Sequence, residues 1–147
     1  MYSDGRGVTQ DEDEATAWYR KAAAQGDADA QFCLGAKYAF AIGFPKDDVQ
    51  AVAWYGRAAE NEHPDALHAL GLMYAFGHGV PQDFVEAYTW ITLGVERACG
   101  PEKRLRAQIR TLVAQCMTRR QLNEARKLAR LWAEAFERRE ALRPRTE

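Results

Sequence analysis

Apolar positions along the first hundred residues recur at helical spacing, in short blocks divided by stretches rich in glycine, aspartate and proline. Ala51, Trp54, Tyr55, Ala58 and Ala59 fall at i, i+3, i+4, i+7 and i+8, one face of an α-helix with small residues where a second helix can come close. A second kind of block, over residues 28–40 and 64–76, is apolar nearly all round and predicts a more enclosed helix. The two kinds alternate. The pattern predicts helix pairs, each an A helix, a tight turn and a B helix, stacked side by side.

The same blocks return at a fixed period. Trp18, Trp54 and Trp90 are 36 residues apart, and that step carries Gly7 to Gly43 and Gly79, Tyr2 to Tyr38 and Tyr74, Asp11 to Asp47 and Asp83, and Gly35 to Gly71. Asp11, Asp47 and Asp83 are followed three residues later by Glu14, Gln50 and Glu86, the spacing of a capping box that starts each B helix and contributes about 1 kcal/mol. Turn glycines precede each cap: Gly5 and Gly7, then Gly43, then Gly77 and Gly79. Asp27 and His63 are placed to cap the A helices, and Pro64 suits a first helical turn. Gly35 and Gly71 fall inside A helices, where glycine costs up to about 1 kcal/mol against alanine. Close approach of a neighbouring helix is the expected compensation.

The run from Leu70 through Gly71, Tyr74, Ala75, Phe76, Gly77 and Gly79 to Val80, continued by Asp83, Ala87 and Trp90, resembles the signature of Sel-one-like repeats, relatives of tetratricopeptide repeats. Residues 51–60 are similar to the family's second helix, and the resemblance covers residues 1–100. It implies an all-α, right-handed α-α superhelix and adaptor or scaffold work. The final helix, over residues 117–132, resembles the closing helix of bacterial members. Departures from the pattern predict local differences: Ala41 in place of a turn glycine gives a turn of another shape, and Glu62 in place of a helix-ending glycine leaves that role to Asn61.

Beyond Gly100 the period stops, so residues 1–100 are read as repeats and 101–147 as a helical cap. Leu105, Ile109, Leu112, Val113 and Cys116 mark one apolar face; Leu122, Ala125, Leu128, Ala129, Trp132 and Phe136 mark the next, behind a capping box at Thr118 and Gln121. The net charge of -1 conceals an acidic body (7 Lys/Arg against 15 Asp/Glu over residues 1–100) and a basic end (13 against 6). The basic residues lack aromatic interleaving, so nucleic acid is not the expected partner, and no apolar run is long enough to span a membrane.

Candidate chemistry is sparse. Cys33, Cys99 and Cys116 are too irregularly spaced for a disulfide scaffold or zinc site and are read as small core residues. His63, His68 and His78 are read as a cap, an inner-face residue and a turn residue, with no orienting group for a Cys33–His68 pair. No catalytic, cofactor-binding or metal-binding residue is expected. Because the tryptophans and glycines are scaffold, function is sought where repeats differ, at Phe32 against His68 and Ala36 against Leu72, with Phe40 and Phe76 kept: Phe32, Ala36 and Phe40 share one A-helix face and His68, Leu72 and Phe76 the next. That concave face is expected to take a partner protein or peptide through apolar contacts. The alternative is a self-associating structural element, a homo-oligomer joined through opposite-charge ends and an N-terminal repeat left open because Met1 aligns with Met73 inside an A helix; a hydrolase comes a distant third. The composition is cytoplasmic as written, and periplasmic or secreted if a segment precedes Met1.

Overall fold

The computed structural model describes residues 6–143, with side chains from Glu14 onward. The expectations placed on Met1, Tyr2 and Gly5 lie outside the described residues. Seven helices follow in order among those described: α1 (Arg6–Ala24), α2 (Ala28–Ala39), α3 (Asp48–Glu60), α4 (Pro64–Phe76), α5 (Phe84–Arg97), α6 (Gly100–Ala114) and α7 (Arg119–Leu142). The A helices are α2 and α4 and the B helices are α1, α3 and α5, arranged as an α-solenoid.

The helix starts are built from the residues the period selects. The Asp27, Asp47 and Asp83 carboxylates accept from the backbone N–H groups of Ala30, Gln50 and Glu86, and His63 Nδ1 accepts from Ala66 N–H at 3.2 Å. The reciprocal arm of the capping box is not made at Asp47 or Asp83. Their own N–H groups donate instead to the carbonyls of Tyr38 (3.1 Å) and Tyr74 (2.9 Å), tying each B-helix start to the end of its A helix. Glu86 is thereby free to accept from Trp90 Nε1 at 3.0 Å. At Thr118 both arms are present. The first B helix departs further: α1 starts at Arg6 and its backbone runs helical through Gly7 and Asp11, so neither position marks a helix start.

Two other local expectations change. Ala41 adopts φ +56°, close to the +68° of Gly77, and Ile42 N–H donates to Lys37 as His78 N–H does to Met73, so the middle turn keeps the shape of its glycine counterpart. Alanine is held there at a cost of roughly 1 kcal/mol. Glu62 itself takes the left-handed conformation (φ +65°) in place of Gly26 (φ +97°), while Asn61 stays at φ -92°. Glu62 then reaches Arg97 at 3.0 Å and Arg139 at 3.8 Å.

The core lies between A and B helices and extends into α7. Phe136 is buried among Tyr55, Ala58, Leu67, Trp90 and Leu93, and the C-terminal helices share the repeats' core. Cys99 and Cys116 are exposed rather than core residues, because one precedes α6 and the other follows it, outside the packed face. Leu105 and Leu112 are likewise exposed while Val113 is buried, since only one edge of the α6 stripe meets α5.

The mid-helix glycines meet the expected close approach. A Cβ on Gly71 would lie 2.5 Å from Ile91 Cγ1 and 3.1 Å from the Ala87 carbonyl oxygen; one on Gly35 would lie 2.6 Å from Tyr55 Cδ1. Gly56, within α3, has nothing within 4 Å of its Cβ position. The same substitution therefore has opposite signs. Gly71→Ala lowers unfolding free energy by about 1–3 kcal/mol through overpacking, and Gly56→Ala raises it by up to about 1 kcal/mol, both read from urea denaturation.

Candidate functional site

The six residues singled out along the A helices separate into two groups in space. Phe32 is half-buried, stacked on His63 with ring centroids 4.7 Å apart and tilted against Tyr55 at 5.6 Å. Ala36 and His68 are also half-buried. Phe40 and Phe76 are instead 71% and 66% exposed at the A-helix ends. The capping geometry explains the difference: Phe40 is the C-cap of α2 and Phe76 the last residue of α4, where each chain turns away from its neighbours.

Phe76 and Leu72 form one wall of an apolar cavity of about 430 Å³. Ala75 completes the α4 wall, Phe84 closes it at the start of α5, and Ile109, Leu112 and Val113 of α6 form the opposite side, with Cys116 beyond. None of these lining residues is charged. A second cavity of about 220 Å³ lies between α2, α3 and α4, with Phe40, Tyr55, Ala69 and Met73 in its lining and Lys46, Asp48 and His78 adding polar groups. Leu72 lines both cavities, so they adjoin along α4. Such a surface offers desolvation and van der Waals contact, and covering one exposed phenylalanine contributes about 1.5–3 kcal/mol.

Phe84, Ile109 and Leu112 were absent from the sequence-derived site. For Ile109 and Leu112 the signal lay in the α6 apolar stripe, which is too broad for one packed edge: Val113 turns inward and Leu112 outward. α6 both packs on α5 through Val113 and walls the cavity through Ile109 and Leu112.

The titratable groups nearby are arranged for structure. Burial pushes the Cys33 thiol above its ordinary value, and the Asp29 carboxylate pushes the same way, which disfavours a nucleophilic thiolate. Arg106, buried on α6, donates to the Pro64 carbonyl at 3.1 Å and pairs with Asp65 at 2.7 Å and Glu102 at 2.5 Å. Among the described residues no cluster of three or more His, Cys, Asp or Glu is placed to hold a metal, and no helix is long and apolar enough to cross a membrane.

Comparison with known proteins gives a consistent result. A family model described as Sel1 repeat matches residues 1–27, 28–63 and 64–97. A crystal structure of a protective antigen from uropathogenic Escherichia coli, displaying an SLR fold, is 31% identical with a TM-score of 0.75, covering 90% of this chain and 29% of that one. A Sel1 repeat protein from Oxalobacter formigenes is 40% identical with a TM-score of 0.56 over 57% of this chain and 35% of the other. This chain thus spans about a third of the length of those two bacterial proteins. None of the curated proteins matches significantly.

His68 supplies a measurable consequence of the packing around α4. Burial, and then the positive charge of Arg106, hold its imidazole below the ordinary histidine value, and its Nδ1 is buried without a hydrogen-bond partner. The folded state therefore resists a proton that the unfolded chain accepts. This stability contribution is complete above the unfolded value near pH 6.5 and is lost as pH falls from there through the depressed folded value. His68→Phe, the residue at the equivalent place in α2, removes that part of the dependence: the stability difference between wild type and variant changes as pH is lowered from 7.5 to 5, whereas a constant difference contradicts it.

Proposed function

The chain belongs to the Sel1 repeat family, whose members are generally non-enzymatic protein–protein interaction scaffolds, and we propose that it binds a partner protein on its A-helix face. The observation that carries this reading is the pair of adjoining cavities that share Leu72 and are flanked by exposed Phe40 and Phe76. Large apolar side chains left open together along consecutive repeats mark a contact surface. The partner segment carries two apolar anchors: one seated between Phe76, Ile109 and Leu112, the other beside Phe40 and Met73. Phe32, Ala36 and His68 support that face from the inter-repeat side. Because the larger cavity has an uncharged lining, attachment there depends little on ionic strength.

Affinity capture from a lysate of the source organism tests the proposal, with the wash at about 0.5 M salt, where screening acts within roughly 4 Å. Proteins retained by wild type and by Asp29→Asn, a change at an exposed carboxylate, are expected to be lost with Phe76→Asp and reduced with Phe40→Asp. Circular dichroism of each variant checks that the helices persist. Identical sets from all variants overturn the reading.

A further inference from the structure

The last helix has an outward stripe that the repeats do not cover. Along α7 the inward face is fully engaged: Ala125, Ala129 and Phe136 are buried, and Trp132 packs on Trp90 with centroids 4.9 Å apart. Next to it run Glu124, Leu128, Leu131, Ala135, Arg138 and Leu142, at alternating steps of four and three residues. Leu131 is 49% exposed and Leu142 83%. Leu128, Leu131, Trp132 and Ala135 enclose a surface cavity of about 310 Å³. Those four stand at i, i+3, i+4 and i+7, the diamond that receives one side chain of a facing helix in knobs-into-holes packing.

The order of residues in the stripe identifies the facing helix. Read from Glu124 to Arg138 it is acidic, leucine, leucine, alanine, basic, so the reverse of that segment complements it. Laid antiparallel against its own copy with the centre at Leu131, the stripe sets Glu124 opposite Arg138 of the second copy and brings Leu128 within one residue, about 1.5 Å along the axis, of Ala135. Leu131 meets itself. On the flank, Lys127 falls within one residue of Glu134 of the second copy. Every charge pair occurs twice by symmetry, as an interface of identical patches requires. A parallel arrangement would instead set Glu124 on Glu124 and Arg138 on Arg138. Large faces small at Leu128 and Ala135, which lets the helices approach closely.

We propose that a second copy of this chain occupies the stripe, with two α7 helices packed antiparallel about a dyad at Leu131. The stripe from Glu124 to Leu142 extends about 27 Å along the helix. It provides a contact of modest size, so association is weak and depends on protein concentration. The surface is separate from the cavities beside Phe40 and Phe76, and both can be used at once.

Sedimentation equilibrium of the full chain, from micromolar concentration to about 1 mM, tests the proposal. Wild type is expected to pass from monomer to dimer and to dissociate more at high salt. Leu131→Arg places two arginines at the dyad and leaves a monomer throughout. Glu124→Arg alone sets like charges against Arg138 twice and weakens association at least tenfold, while Glu124→Arg combined with Arg138→Glu restores it to within a few-fold of wild type. Because these side chains point outward, thermal unfolding of each variant is expected to match wild type, and Phe76→Asp is expected to dimerise normally. A wild type that stays monomeric, assemblies larger than dimers, association untouched by Leu131→Arg, or a double exchange no better than the single one each overturn the proposal.

Discussion

The packing of one side chain of a B helix onto a glycine of its A helix governs most of this structure. Ile91 occupies the place that a Cβ on Gly71 would take, and Tyr55 does the same at Gly35. The relation is returned within the second pair, where a Cβ on Gly94 would come within 3.2 Å of the His68 backbone nitrogen. With backbones this close, the small residues of the repeat (Ala51, Ala58, Ala59, Ala66, Ala87) can be buried completely. The bulk of the aromatic rings is displaced to the seams between pairs and to the helix ends. Tyr38 accordingly stacks on Phe44 at 4.4 Å, and Phe32 on His63 at 4.7 Å. The rings left at the A-helix ends, Phe40 and Phe76, border the cavities.

Tight pairing also explains how the C-terminal helices attach. They do not extend the repeat as one further unit. On α6, Val113 packs towards Tyr88 and Ile91 while Leu112 remains outside, so this helix covers a face of α5 and also walls the larger cavity. On α7, the helix crosses α5 where the Thr89 hydroxyl lies 3.4 Å from the Ala125 carbonyl, then ends over the corner between α3 and α4. There the Arg97 and Arg139 guanidinium groups lie over the Phe136 ring, 4.9 and 5.2 Å from its centroid, and Arg139 also donates to the Glu60 carbonyl. One long helix thereby joins the second pair to the first.

Legibility in the sequence followed the physical character of each feature. Periodic, local features were readable: helix starts after Asp47 and Asp83, the proline at the head of α4, the need for a close neighbour at Gly35 and Gly71. Features decided by competition between distant groups were not. Whether Gln50 or Glu86 reaches back to its cap depends on the Tyr38 and Tyr74 carbonyls, which capture the same N–H groups. Whether Glu62 can hold a left-handed backbone depends on its neighbourhood, and Arg97 and Arg139 converge on its carboxylate from two other helices. For the candidate site, the sequence pointed to Leu72 through variation between repeats, and to Phe40 and Phe76 as kept positions on the same A-helix faces. The wall supplied by Ile109 and Leu112 required knowing where α6 settles, which lies outside the repeat's own pattern.

The charge asymmetry between the two parts of the chain reads differently once the contacts are known. An acidic body and a basic end suggest a surface offered to a charged partner. Several of the cations near the junction are committed internally instead. Arg106 is buried against Asp65 and the Pro64 carbonyl, and Arg139 reaches Glu60 and Glu62, so the C-terminal helices use positive charge to fasten themselves to acidic helix ends in the body. A buried guanidinium needs such partners, since an uncompensated charge in the interior is far costlier than an exposed one. On α7 the charges in the outward stripe, Glu124 and Arg138, and on its flank, Lys127 and Glu134, are of both signs, an arrangement that suits a reversed copy of the helix better than a uniformly acidic surface. Charge in this molecule therefore sets which surfaces meet and in what orientation, while the energy of each contact comes from the apolar groups between them.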